Sequence, residues 1–242
     1  MKRARALLPF AAALLLGSCG ERAAQRVDPQ DHQAFFLWAG VRPPAVLARA
    51  KTIYILSGEV RVDDPARLIP LRPQAPHVAH AEVWLTVRAE RLDWDEGVYR
   101  QIGRELDRWR AAGSRVVGLQ IDFDARTRGL DRYAAFLADL RRRLPRHYRL
   151  SITGLLDWSA GGDPAALASL HWLVDEVVIQ TYQGRRTIPG YERYMASLTR
   201  LPLPYRVALV ERGAWGAPSA LARDPEFRGY VVFLLPDSDR SK

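Results

Sequence analysis

Val116-Val117-Gly118-Leu119-Gln120-Ile121-Asp122-Phe123-Asp124 is the stretch on which the reading of this chain turns. Side chains of a strand alternate between its two faces. Val117, Leu119, Ile121 and Phe123 therefore make an unbroken apolar face suited to packing against helices. Gly118, Gln120, Asp122 and Asp124 make the opposite face, where polar groups need partners or solvent. The two aspartates stand roughly 6.5–7 Å apart along the strand, at its C-terminal end. A helical pattern follows from Leu130 to Leu144, with Tyr133, Phe136, Leu137 and Leu140 on one side.

Working outward, the same unit recurs. Upstream, Val98, Ile102, Leu106 and Trp109 fall at helical spacing and Gly113 stops that helix. Before it lie strands at Phe35-Phe36-Leu37-Trp38, Ile53–Leu56 and Glu82–Arg88. Downstream come strands at Leu150–Leu156, Glu176–Tyr182, Tyr205–Val210 and Gly229–Leu235. Asp163-Pro164 reads as a helix cap followed by proline at the first helical position. Gly190 opens a helix carrying Tyr191, Tyr194, Met195 and Leu198. Eight strands alternating with helices predict a parallel sheet, closed as a small (β/α)8 TIM-like barrel in the α/β class. The alternative is an open doubly wound sheet, disfavoured because no Gly-rich phosphate loop follows the first strand. The proline-bearing segment from Asp63 to His80 reads as a lid or an irregular connection.

The start of the chain reads as a secretory leader. Lys2, Arg3 and Arg5 precede an apolar run from Ala6 to Leu16, and Leu16-Gly17-Ser18 leads into Cys19. This ending resembles the lipobox of bacterial lipoproteins, and it implies cleavage before Cys19 and acylation of its sulfur. Cys19 is the single cysteine, so no internal disulfide exists. The expected organisation is a signal peptide over 1–18, a polar tether over 19–32 and one barrel domain over 33–242. Gly20 after the cysteine points to the outer membrane, facing the periplasm. The expected partners are the membrane, through Cys19, and a polysaccharide.

Of 242 residues, 48% are hydrophobic and 26% charged, which excludes disorder as the main state. Net charge is +9, but all basic residues except Lys2, Lys51 and Lys242 are arginines spread along the chain. No nucleic-acid motif accompanies them, so a nucleic-acid partner is not expected. Arg141-Arg142-Arg143 sits at a helix end, where it complements the dipole.

Candidate chemistry gathers at C-terminal strand ends, where barrel enzymes keep theirs. Asp122 and Asp124 are the candidate catalytic pair. On the sixth strand Val178, Gln180 and Tyr182 share the inward face. Asp157-Trp158 ends the fifth strand, and Glu211 and Trp215 follow the seventh. Trp38, Trp94, Trp158, Tyr182 and Trp215 are expected to form an aromatic rim on which sugar rings stack. Trp109 and Trp172, on helices, read as packing. The candidate substrate-binding set is thus Gln120, Tyr182, Gln180, Asp157, Trp38, Trp158, Glu211 and Trp215. No cofactor is implied. A metal held by Asp122 and Asp124 with His77 or His80 is a weak signal, and no metal site is expected.

GLQIDFDA with VDEVVIQTYQG (Val174–Gly184) resembles strands four and six of the chitinase-like family 18 glycoside hydrolases, whose fourth strand carries D-x-x-D-x-D-x-E. The resemblance places Asp122 and Asp124 at the second and third aspartates. It places Tyr182 at the tyrosine that helps hold the substrate's acetamido group. Leu119 stands at the first aspartate position and Arg126 at the proton-donating glutamate, so that family's acid is not inherited. From Phe35 to Pro236 the chain also resembles the bacterial domain-of-unknown-function family 3142, which includes lipoproteins and carries a QIDFDA-type strand. Three readings stay open: a polysaccharide hydrolase with altered acid–base residues, a non-catalytic glycan- or protein-binding lipoprotein, and a scaffold without a small-molecule site. Either Asp124 is the acid, with Asp122 orienting it, or Arg126 clamps Asp124 ionised.

Overall fold

A computed structural model describes residues 24–125, 129–161, 164–199 and 201–236. The leader, Cys19, Arg126 and the Asp163 cap lie outside the described residues. Among those described, the barrel strands are β1 (Ala34–Leu37), β2 (Thr52–Val60), β3 (Glu82–Ala89), β4 (Val116–Asp122), β5 (Arg149–Leu155), β6 (Glu176–Gln180), β7 (Tyr205–Val210) and β8 (Phe227–Phe233). Each pairs in parallel with its sequence neighbours, and β8 pairs with β1 to close the cylinder. This is the TIM-like barrel, not the open sheet.

The helices that cover it are α1 (Glu96–Ala111), α2 (Leu130–Arg143), α3 (Trp158–Gly161), α4 (Pro164–Leu170) and α5 (Glu192–Leu198). In α1 the residues at helical spacing, Val98, Ile102, Leu106 and Trp109, are all buried. Gly113, at φ 89°, ends it in the left-handed conformation that favours glycine. A side chain there would collide with the His77 ring, 2.6 Å from its Nδ1. The arginines ending α2 bind carboxylates, Arg142 and Arg143 to Asp139 and Arg143 also to Glu96. Helical cover is thin elsewhere. Only 3-10 turns, Ala45–Arg49 and Leu221–Arg223, lie between β1 and β2 and between β7 and β8. Trp172, expected to pack, is 83% exposed in the turn after α4.

The parity of β4 holds except at one residue. Leu119 and Ile121 enter the outer core beneath the helices, and Phe123 packs against it. Val117 instead contacts the inner cluster. The cause is a register shift: Val83 pairs with Val116 but Trp84 with Gly118, so Val117 is an extra residue at a bulge. Gly118 then lies under Trp84, where a Cβ would come within 2.5 Å of the indole.

The segment 63–80 is a strap, not a lid. Ile69–Pro70 pairs antiparallel with Glu59 and Gly58 of β2, and Leu68 is buried. Arg72 reaches across two strand ends and donates to the carbonyls of Leu56, Leu37 and Trp38 at 3.0–3.2 Å.

Candidate functional site

The barrel interior divides along its axis. In the N-terminal half, Thr86 Oγ1 donates to Gln120 Oε1 (3.2 Å), and Gln120 Nε2 donates to Ser151 Oγ (3.1 Å). Ser151 Oγ donates to Glu176 Oε1 (3.3 Å), which also accepts from the Tyr54 hydroxyl. Arg206 Nε pairs with Glu176 Oε2 at 3.1 Å. These groups satisfy one another. Gln120, expected to bind substrate, is fully buried here and is spent on that network.

Above it, at the C-terminal ends of the strands, opens a cleft of about 800 Å3. One wall is aromatic. Trp38 meets Phe36 and Phe233 edge-on at 5.3 and 5.4 Å, and Tyr182 lies 5.3 Å from Phe233. Elsewhere aliphatic side chains such as Leu155, Val178 and Ile188 alternate with the polar Arg88, Asp122, Asp124, Asp157 and Gln180. Arg72 fixes the carbonyl of Trp38 from outside the cleft.

Asp122 is the electrostatic centre. Its Oδ1 accepts from Thr153 Oγ1 at 3.1 Å, and the same hydroxyl accepts from the Phe123 amide at 3.2 Å. Burial pushes Asp122 up to about 6, opposed by Arg88 and Thr153 and reinforced by the charge of Asp124. Arg88 sits directly beside it in register on β3. Asp124 and Asp157 are exposed at the rim. Tyr182 is pushed well up by burial and by both aspartates, which keeps its phenol protonated as a donor.

Asp122, Asp124, Asp157, Gln180, Tyr182 and Trp38 are thus brought together. Trp158, Glu211 and Trp215 are not. Trp158 opens α3, turns back into the outer core and donates its indole N–H to the Ala125 carbonyl at 2.8 Å. Glu211 is buried and accepts from the Leu235 amide at 2.9 Å. Trp215 stacks on Tyr191 at 4.4 Å, and Trp94 packs edge-on against Phe136. The expected rim of five aromatics reduces to Trp38 and Tyr182, because an indole just past a strand end can bury more area under the helices than over the mouth.

The sequence reading passed over Arg88, Thr153, Phe36 and Phe233. Inward parity on β1, β3, β5 and β8, counted as on β4 and β6, marks them. His77 and His80 bond the carbonyls of Ala112 and Leu47, at the opposite end of the barrel from Asp122. Among the described residues no cluster of three or more His, Cys, Asp or Glu is arranged to hold a metal.

This architecture is shared with known folds. A xylanase–α-amylase inhibitor protein crystallised with trehalose matches with a TM-score of 0.54 at 10% identity, over 83% of this chain and 92% of that one. A tamarind chitinase-like lectin matches with a TM-score of 0.52 at 11% identity, over 84% and 94%. At such identities the likeness is one of fold. No curated protein sequence matches the chain. The model of a domain of unknown function, DUF3142, matches residues 77–197, half of the chain, running from before β3 into α5 and taking in Asp122, Asp124, Asp157 and Tyr182 of the cleft. The protein is therefore a member of the DUF3142 family.

Proposed function

We propose that the protein binds a polysaccharide in the cleft above β4. One observation carries this reading: an aromatic wall of Trp38, Tyr182 and Phe233 shares an 800 Å3 groove with Asp122, Asp124, Asp157 and Gln180. Apolar sugar faces stack on aromatic rings, and carboxylates and amides accept or donate to their hydroxyls. That a lectin shares the fold supports the same reading. Cell-wall and capsular glycans are the ligands to screen. On any that binds, Trp38→Ala should weaken affinity about tenfold, equivalent to about 1.4 kcal/mol of lost stacking. Asp124→Asn should weaken it further. Variants that melt like the parent and bind like it would overturn the proposal.

The second reading, hydrolysis, is favoured by Asp122 alone. A carboxyl raised to about 6 retains part of its proton near neutrality, as a general acid must. Asp124 or Asp157 would then serve as the ionised partner. Release of reducing ends, abolished by Asp122→Asn while binding persists, supports that role. Binding without release leaves the protein a lectin-like receptor.

We also propose that acylated Cys19 anchors the protein to the outer membrane, facing the periplasm. The leader and the small residues before Cys19 support this. Multiple acyl chains hold a protein stably where one is marginal. Mass spectrometry of the membrane-extracted protein tests it.

A further inference from the structure

The chain enters the described residues at the cleft end of the barrel. Gln25–Arg26 pairs antiparallel with Ala214–Trp215, just past β7. The Val27 amide donates to the Gly213 carbonyl and the Arg212 amide to the Val27 carbonyl, both at 2.9 Å. Gly213 in turn lies against Thr187, which pairs with Tyr182 in the short ribbon whose turn lines the cleft. Three segments thus lie side by side at the rim.

Those segments carry exposed arginines: Arg26, Arg186 and Arg212. Arg212 has φ 64°, the one left-handed non-glycine among the described residues. That position would suit glycine better, and it holds a guanidinium in solvent instead. Of the acids nearby, Asp124 and Asp157 line the cleft itself and two others are engaged by backbone amides. Glu211 is buried on the Leu235 amide, and Asp28 caps the amide of Gln30.

Six residue steps separate Cys19 from Gln25. Fully extended they span at most about 21 Å. A seven-residue strand such as β4 is about 23 Å long. Strands tilt about 36° from a barrel's axis, so such a strand rises about 19 Å. The stretch from Cys19 to Gln25 is about that long and leaves the barrel at the cleft end, which is therefore the end nearest the anchor along the chain.

We infer that this arginine-bearing rim docks on an anionic phospholipid surface, so that the cleft works on saccharide presented at the membrane. The inference rests on the anchored, glycan-binding reading above and adds orientation and a lipid contact to it. Each arginine near an anionic surface is worth roughly a fivefold preference.

The acylated protein, extracted from membranes, would be reconstituted in phosphatidylethanolamine vesicles with and without phosphatidylglycerol. A fluorophore is placed at Arg186→Cys or, at the opposite barrel end, Arg146→Cys. Quenching by spin-labelled head groups is then read. The rim label should be quenched several times more strongly than the distal label. The difference should shrink without phosphatidylglycerol and with Arg26→Glu/Arg212→Glu. Equal quenching, stronger distal quenching, or indifference to the charge swap would overturn the docking surface. An unacylated Cys19 would overturn it together with the anchor. Glycan binding by the detergent-free protein, measured separately, would stand or fall on its own.

Discussion

The two halves of the barrel interior are lined by the same inward alternation and end in opposite states. In the lower half, Tyr54, Gln120, Ser151, Glu176 and Arg206 spend their hydrogen bonds on one another. In the upper half, Asp122, Asp124 and Gln180 face an open cleft. Gln120 and Asp122 are two residues apart on one strand, yet one is structural and the other available. An inward polar side chain is therefore not in itself a site. What decides is whether neighbouring strands already supply its partners.

The sharpest way to break this contrast is to open the lower half. Glu176→Ala strands Arg206 and Tyr54 in a buried setting, and removing one partner of such a pair costs about 3–5 kcal/mol. Urea unfolding should show that loss, while the folded fraction keeps its glycan affinity. A cost near zero would mean the network is not closed.

In the upper half the corresponding change has the opposite sign. Asp122 titrates at about 6 when folded, against 3.8 for the ordinary carboxyl. The folded state binds the proton more tightly, so this contribution is fully present below about pH 4 and is lost as pH rises through 6. The difference amounts to at most about 3 kcal/mol. Asp122→Asn should flatten the fall in stability between these pH values and leave the variant at least as stable as the parent at neutrality. A variant less stable than the parent at pH 7 would class Asp122 with the lower network.

The barrel was legible because its periodic signals are redundant. Each strand is bounded by a turn or helix stop, and α1 and α2 carry unbroken apolar stripes. Parity likewise brought Asp122, Asp124, Gln180 and Tyr182 to one mouth. It failed at Val117, since a bulge depends on how β3 pairs across, which no local pattern records. The tryptophans failed for a related reason. Proximity to a strand end fixes where the backbone is, not which way an indole turns. Trp158 and Trp215 turned toward Ala125 and Tyr191, partners distant in sequence. Segment 63–80 reads in sequence as either a lid or an irregular connection; its short pairing with β2 and the reach of Arg72 hold it outside the mouth as a connection.

The contrast between the halves is tested most directly by following side-chain carboxyl signals of the 13C-labelled protein across pH, with and without a bound cell-wall oligosaccharide. Asp122 should titrate at about 6, and its signal should move when saccharide is added while that of Glu176 stays in place. An Asp122 that titrates as an ordinary carboxyl, or a saccharide response at Glu176 and none at Asp122, would contradict that contrast.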